Sequence, residues 1–312
     1  MRQFFGCVLV VLMAVTAAAQ EKKPQQSKRK YPPNLPGAKV VVYKTIGDVK
    51  LQAYIYNPKD HQATDKRPAV VFFFGGGWRA GSPVQFQHHC EYLASRGMVA
   101  ITADYRVSSR HHTKALKCVA DGKSAIRWIR ASAAKLGVDP DRIVAGGGSA
   151  GGHVAACTGV VRGMEEPGED QAVSSIPNAM ALFNPALVLA PIDGKGPFDK
   201  ERTAGLAARM GTDPVALSPY HQVKPGAPPT IIFHGVADTT VPYKTAEQFT
   251  AAMVKANNRC KLVGYEGRKH GFFNYGRDGN RAFVQTLREL DAFLADLGYL
   301  KGEPTIETPK SK

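Results

Sequence analysis

Residues 142–157, RIVAGGGSAGGHVAAC, constrain this chain more than any other stretch. A short apolar run of strand type, 142–145, is followed by a glycine-rich turn, and an apolar helical run opens at Val154. Ser149 stands at the apex of the turn, and residues 147–151 fit G-x-S-x-G. Such a turn must be tight if the hydroxyl is to stand clear of a sheet. Side chains at 147 and 151 would collide with neighbouring backbone, so glycine suits both places. The N-terminus of the following helix points at the serine and favours negative charge developing there. Gly146, Gly148 and Gly151 also fit the G-x-G-x-x-G of dinucleotide sites. That reading fails on context. The turn falls mid-chain, after several strand–helix units, and Glu165, Glu166 and Asp170 lie in a polar loop rather than at a strand end.

The rest of the chain supplies a frame for this turn. Residues 38–43 and 49–56 read as a hairpin joined at Ile46-Gly47-Asp48. The run 69–74, AVVFFF, is apolar without alternation, as a strand buried on both faces must be. It ends in Gly75-Gly76-Gly77-Trp78. Helical periods at 83–96, 113–136, 243–256 and 281–297 alternate with strand-like runs at 98–102, 179–189, 230–233 and 261–265. Residues 190–220 read as irregular, with several Pro and Gly. This alternation predicts an α/β fold with a mostly parallel sheet covered by helices on both faces.

The ends differ in composition. Residues 1–19 carry Arg2, an apolar core too short to span a bilayer comfortably, and Ala17-Ala18-Ala19, the pattern of a secretory signal. Export to the periplasm or the extracellular space is the expectation, with no stable membrane span after cleavage. Residues 20–38 and 301–312 are polar and charged and read as a disordered linker and tail, leaving 39–300 as one catalytic domain. The formal net charge is +15, partly carried by those ends. No basic run interleaves with aromatics in a nucleic-acid-binding pattern, so nucleic acid is not an expected partner. Cys90, Cys118, Cys157 and Cys260 lack paired C-x-x-C spacing, which argues against structural zinc; a disulfide is permitted, but buried free thiols are the expected state.

A serine hydroxyl becomes a nucleophile when a base takes its proton and a carboxylate orients that base. Asp238 follows one strand-like run and His270 the next, so both belong at the sheet end towards which Ser149 points. Among the other histidines, His88, His89, His111 and His112 read as solvated, His153 as packing, His234 as a backbone-bonding residue and His221 as a loop residue. Gly76 and Gly77 in the glycine run, with Ala150 beside the serine, offer backbone N–H groups to an oxyanion. Trp78 reads as a wall of the same pocket. Neither metal nor organic cofactor is called for.

Phe74-Gly-Gly-Gly-Trp78, Asp104-Tyr105-Arg106, Gly147-Gly-Ser-Ala-Gly-Gly-His153, His234-Gly-Val-Ala-Asp238 and Lys269-His-Gly271 together resemble the α/β-hydrolase esterases, most nearly the hormone-sensitive-lipase-like and BD-FAE-like groups. The resemblance covers roughly 50–297. It implies Ser149 as nucleophile, Asp238 as acid, His270 as base, and Gly76, Gly77 and Ala150 as oxyanion donors. It implies hydrolysis of short acyl esters, acetyl among them, on small-molecule or polysaccharide-borne alcohols. The family usually has histidine where Phe74 stands. A serine exopeptidase uses the same triad, but commonly needs a large extra domain for which this chain has no room. A non-catalytic hydrolase fold used for binding would be marked by loss of a triad residue, and all three are present.

Overall fold

In a computed structural model, residues 31–198 and 200–307 are described. The signal-like segment 1–19 therefore lies outside the described residues. The compact unit that carries the site begins at Asn34. Eight strands make one sheet: β1 Lys39–Ile46, β2 Val49–Tyr56, β3 Arg67–Phe73, β4 Val99–Ala103, β5 Val138–Gly148, β6 Ala179–Phe183, β7 Thr230–Gly235 and β8 Cys260–Tyr265. Their spatial order is β1-β2-β4-β3-β5-β6-β7-β8. The first hairpin and the β2–β4 pair are antiparallel, and every later pairing is parallel. The helices are α1 Gln87–Ser95, α2 Ser108–His111, α3 Ala115–Ala131, α4 Ala133–Leu136, α5 Ala150–Val160, α6 Lys200–Met210, α7 Pro214–Leu217, α8 Tyr243–Lys255 and α9 Arg281–Asp296.

Strand alternation sends the AVVFFF run into both layers at once. Val71 and Phe73 join a cluster with Val119 and Ile126 of α3, Val154 of α5 and Phe249 of α8. Val70 and Phe72 join another with Leu93 of α1 and Leu287 and Leu294 of α9. Helices thus cover both faces, as the continuous apolar strands require. The chain matches the expected α/β-hydrolase architecture.

Four expectations need correction. The segment 190–220 is not irregular throughout: α6 occupies its middle, and Met210 on it is fully buried. The long helix expected over 113–136 breaks at Ser132 into α3 and α4. The run 179–189 is strand only to Phe183, because Asn184 takes φ 36° and turns the chain. The polar ends are docked for part of their length. Leu35 is buried, Ile306 packs on the same cluster, and the Arg96 guanidinium donates to the carbonyls of Lys301 and Gly302. Among the described residues no helix is long and apolar enough to cross a membrane.

His89 departs furthest from its expected solvated state. It is fully buried, and neither ring nitrogen has a hydrogen-bond partner. Phe72, Phe86, Phe183, Phe273 and Phe283 surround the ring at centroid distances of 5.9, 4.8, 5.4, 5.9 and 4.9 Å. Burial drives its pKa down to about 3. The folded state therefore binds fewer protons than the unfolded one, and stability is full above the ordinary histidine range and declines as pH falls from about 6.5 towards 3. His89→Leu removes both this titration and a desolvated ring worth about 1–3 kcal/mol. Thermal melts from neutral to mildly acid pH should show the variant above the parent, with the gap widening on acidification. A gap that is constant with pH would show that His89 does not titrate as its burial dictates.

Candidate active site

The turn after β5 forces Ser149 into φ 54°, ψ −117°, a region that non-glycine residues seldom adopt. Two contacts hold the strain. The Ser149 N–H donates to the Phe183 carbonyl at 2.9 Å, and α5 starts at the next residue. The flanking glycines are required by space. A Cβ at Gly151 would lie 2.0 Å from the Phe73 carbonyl oxygen, and one at Gly147 would lie 2.4 Å from that of Gly151. The helix therefore packs directly on the ends of β3 and β5, with no room for a side chain at the crossing.

β7 and β8 deliver the other two groups. Asp238 sits in the turn after β7, its side chain fully enclosed. Its Oδ1 accepts the N–H groups of Thr240 and Val241 at 2.8 and 2.9 Å. Its Oδ2 lies 2.7 Å from His270 Nδ1. His270 Nε2 in turn lies 3.0 Å from Ser149 Oγ. The structure thus brings the three residues singled out in the sequence into one hydrogen-bonded line. Burial alone would raise the Asp238 pKa. Hydrogen bonds from His234 and His270 and the Val241 N–H outweigh it and hold the carboxyl well below the usual range. Asp238 is thus held as an anion facing the imidazole.

The glycine loop stands opposite. Gly77, Trp78, Ser149 and Ala150 line a cavity of about 130 Å³, closed by Leu189, Phe198, Leu206 and Val241, with Arg209 and Thr240 at its polar part. Ala150 opens α5, where an N–H has no acceptor within the helix. Gly76 is folded into the loop: its carbonyl accepts the N–H groups of Arg79 and Ala80. A Cβ there would lie 2.2 Å from the Ala80 oxygen. Trp78 lines the same cavity, and its indole N–H donates to His153 Nδ1 at 3.1 Å. His153 Nε2 lies 2.8 Å from the Leu217 carbonyl, which fixes the tautomer and leaves Nδ1 as acceptor. Burial lowers the His153 pKa to about 4, so the ring is neutral and serves as a spacer between the glycine loop and α7.

Sequence reasoning missed several supports. Gln85 Oε1 accepts the Gly75 N–H at 2.6 Å, and its Nε2 donates to Asn274 Oδ1 at 2.9 Å. Asn274 returns a hydrogen bond to the Gly271 carbonyl at 2.8 Å, and the Gly271 N–H donates to Asn184 Oδ1 at 2.9 Å. The glycine loop and the His270 loop are thereby braced to each other. Neither amide carries a motif; only the fold brings positions 85 and 274 together. His234, expected to bond backbone, does so: its Nε2 lies 2.9 Å from the Val241 carbonyl, and 3.4 Å from Asp238 Oδ2. His221 Nδ1 and Nε2 reach Ser218 Oγ and the Pro191 carbonyl at 2.8 and 3.1 Å, away from the Ser149–His270–Asp238 line. Cys90, Cys118, Cys157 and Cys260 are free thiols.

Phe74 is fully buried and stacks on Tyr105, whose hydroxyl donates to the Phe74 carbonyl at 2.6 Å. The ring centroids lie 4.2 Å apart. Phe74→His should lower stability by about 1–3 kcal/mol, because the imidazole would be buried without a built partner. It should change kcat/KM for a short ester by less than about tenfold, a difference of ~1.4 kcal/mol. Thermal melts and kinetics on one preparation check both, and inactivation of a stably folded variant would mean that Phe74 touches substrate.

A family model described as BD-FAE matches residues 54–253. Esterase LipC of Mycobacterium tuberculosis is 30% identical over 233 residues, 70% of this chain and 56% of that protein. The chain spans about half the length of the curated relatives it matches. Among solved structures, Thermogutta terrifontis esterase 2 phosphonylated by sarin is 54% identical with a TM-score of 0.85, covering 88% of this chain and 100% of that one. The butyrate-bound esterase Est2 of the same organism is 55% identical with a TM-score of 0.83, covering 88% and 99%.

Proposed function

The chain belongs to the BD-FAE family, and from that premise we propose that it is a serine carboxylic-ester hydrolase acting through Ser149, His270 and Asp238 on short acyl esters. The observation that carries this reading is the line from Ser149 Oγ through His270 to Asp238, 3.0 and 2.7 Å long, at the mouth of a small apolar cavity. His270 Nε2 takes the hydroxyl proton as Oγ bonds to the ester carbonyl carbon. The carbonyl π pair moves to oxygen, where the N–H groups of Gly77 and Ala150, with Gly76 in the same loop, stabilise it. The oxyanion then collapses, the C–O bond to the alcohol breaks, and His270 returns the proton to the departing oxygen. Water repeats the sequence on the acyl-enzyme and releases the acid. Asp238 keeps His270 in the Nδ1–H tautomer and balances the imidazolium.

A short acyl group suits the cavity. Its volume, about 130 Å³, lies below the roughly 300 Å³ at which pockets for drug-sized ligands begin. The butyrate bound by the Thermogutta esterase supports the same range. Leu189, Phe198 and Leu206 form an apolar cover, but it closes a small space. Acetyl groups on carbohydrate alcohols, outside the cell, remain the physiological proposal, because the oligosaccharide would stay in solvent while only the acyl group enters. With nitrophenyl esters from C2 to C12, kcat/KM should peak at C2–C4, since methylenes beyond the cavity forgo the ~0.8 kcal/mol each that burial would give. Acetate should also be released from an acetylated polysaccharide. An optimum at C8 or longer with no acetate released would overturn the acyl assignment.

A further inference from the structure

Beyond the acyl cavity, a groove of about 320 Å³ shares Gly77, Trp78 and Arg209 with it and continues along Arg79, His112 and Lys114. From this juxtaposition we infer that the alcohol part of the substrate is anionic, a carboxylate- or sulfate-bearing alcohol seated against Arg79, Lys114 and Arg209; the inference rests on the ester-hydrolase reading above. Among the described residues neither cavity nor groove is lined by an acidic side chain. Among the described residues no carboxylate lies within the 4.0 Å that marks an ion pair of the Arg79 or Arg209 guanidinium. Arg79 and Arg209 are exposed. Lys114 spends one ammonium hydrogen on the Ala208 carbonyl, at 2.8 Å, and keeps two.

The buried cations among the described residues are, by contrast, paired. Lys44, Arg106, Lys123 and Arg127 all meet Asp121, Glu165, Glu166 or Glu169. Leaving like charges unpaired in a concavity raises its positive potential, which low-dielectric walls focus. The placement also matches the chemistry. The apolar cavity, which Ser149 lines, takes the acyl chain, and the cationic groove, which meets that cavity at Gly77, Trp78 and Arg209, takes the other side of the ester. Arginine forks recognise planar carboxylates and sulfate oxygens in pairs, giving geometry as well as charge.

The test compares 3-carboxyphenyl acetate with its neutral isostere 3-carbamoylphenyl acetate, using the full chain and the R79Q/R209Q variant. The acid should be preferred by about tenfold or more in kcat/KM, chiefly through KM, and the preference should shrink with added salt. R79Q/R209Q should lose most of that ratio. Inhibition of the parent protein by 3-hydroxybenzoate against 3-hydroxybenzamide gives a readout that needs no variant, and the acid should bind better. Equal efficiencies for the two esters, with a ratio indifferent to salt and to R79Q/R209Q, would overturn the inference while leaving the hydrolase standing. Cleavage of neither ester would overturn both.

Discussion

Replacing Ser149 with alanine is expected to lower turnover of a short-chain ester by about a thousandfold or more and to leave the melting temperature unchanged or slightly higher. The hydroxyl's one described partner is His270 Nε2, so its loss opens no cavity and strands no buried group other than that nitrogen. The backbone strain is held by the Phe183 carbonyl and by α5, and alanine occupies the same φ and ψ without new contacts. The parent should take up one organophosphate per chain, detected by intact mass, and the variant none. Retention of activity within tenfold, or an adduct on another residue, would remove Ser149 from its proposed role.

The second large effect is expected from Asp238→Asn, a drop in kcat of about 10⁴ with the fold retained, the size seen when a triad imidazole is held in the wrong tautomer. The reason lies in the order of the surrounding donors. Thr240 and Val241 present two N–H groups to one oxygen, and only the amide oxygen of asparagine can accept them. The amide NH₂ must then face His270 Nδ1, which has to become an acceptor. His270 would carry its proton on Nε2, facing Ser149, where it cannot receive another. Activity of the variant should recover partly at high pH, where hydroxide removes a proton without help, whereas His270→Gln should stay inactive at every pH. Unimpaired kcat in Asp238→Asn would show that the carboxylate does not set the tautomer.

Much of the site was readable because its chemistry sits next to backbone signals. Ser149 lies on a glycine turn, and Asp238 and His270 each follow an apolar strand, so local pattern and parallel topology together placed them. The unreadable parts depend on contacts distant in sequence. His89 looked solvated in a His-His pair at a helix start. Its cage is closed by Phe183, Phe273 and Phe283, roughly a hundred to two hundred positions away. α6 was hidden by its charge and by Gly205; only Leu206 and Met210 mark its inward side, too few for a period to emerge. The docked ends were hidden for the same reason, since a single leucine or isoleucine in a polar stretch becomes informative only when its acceptor surface is known.

The brace from Gln85 through Asn274 to the His270 loop bears on how such a protein can diversify. It joins the parts that would carry the reaction to one another and includes no residue of α6. Phe198, Leu206 and Arg209 of the cavity beside Ser149, by contrast, come from α6 and the residues just before it, tied to the start of α3 by Lys114. Selection can therefore redraft one surface segment, residue by residue or by insertion, without disturbing the apparatus that breaks the bond. On this plan relatives would diverge first in what they accept and last in what they do.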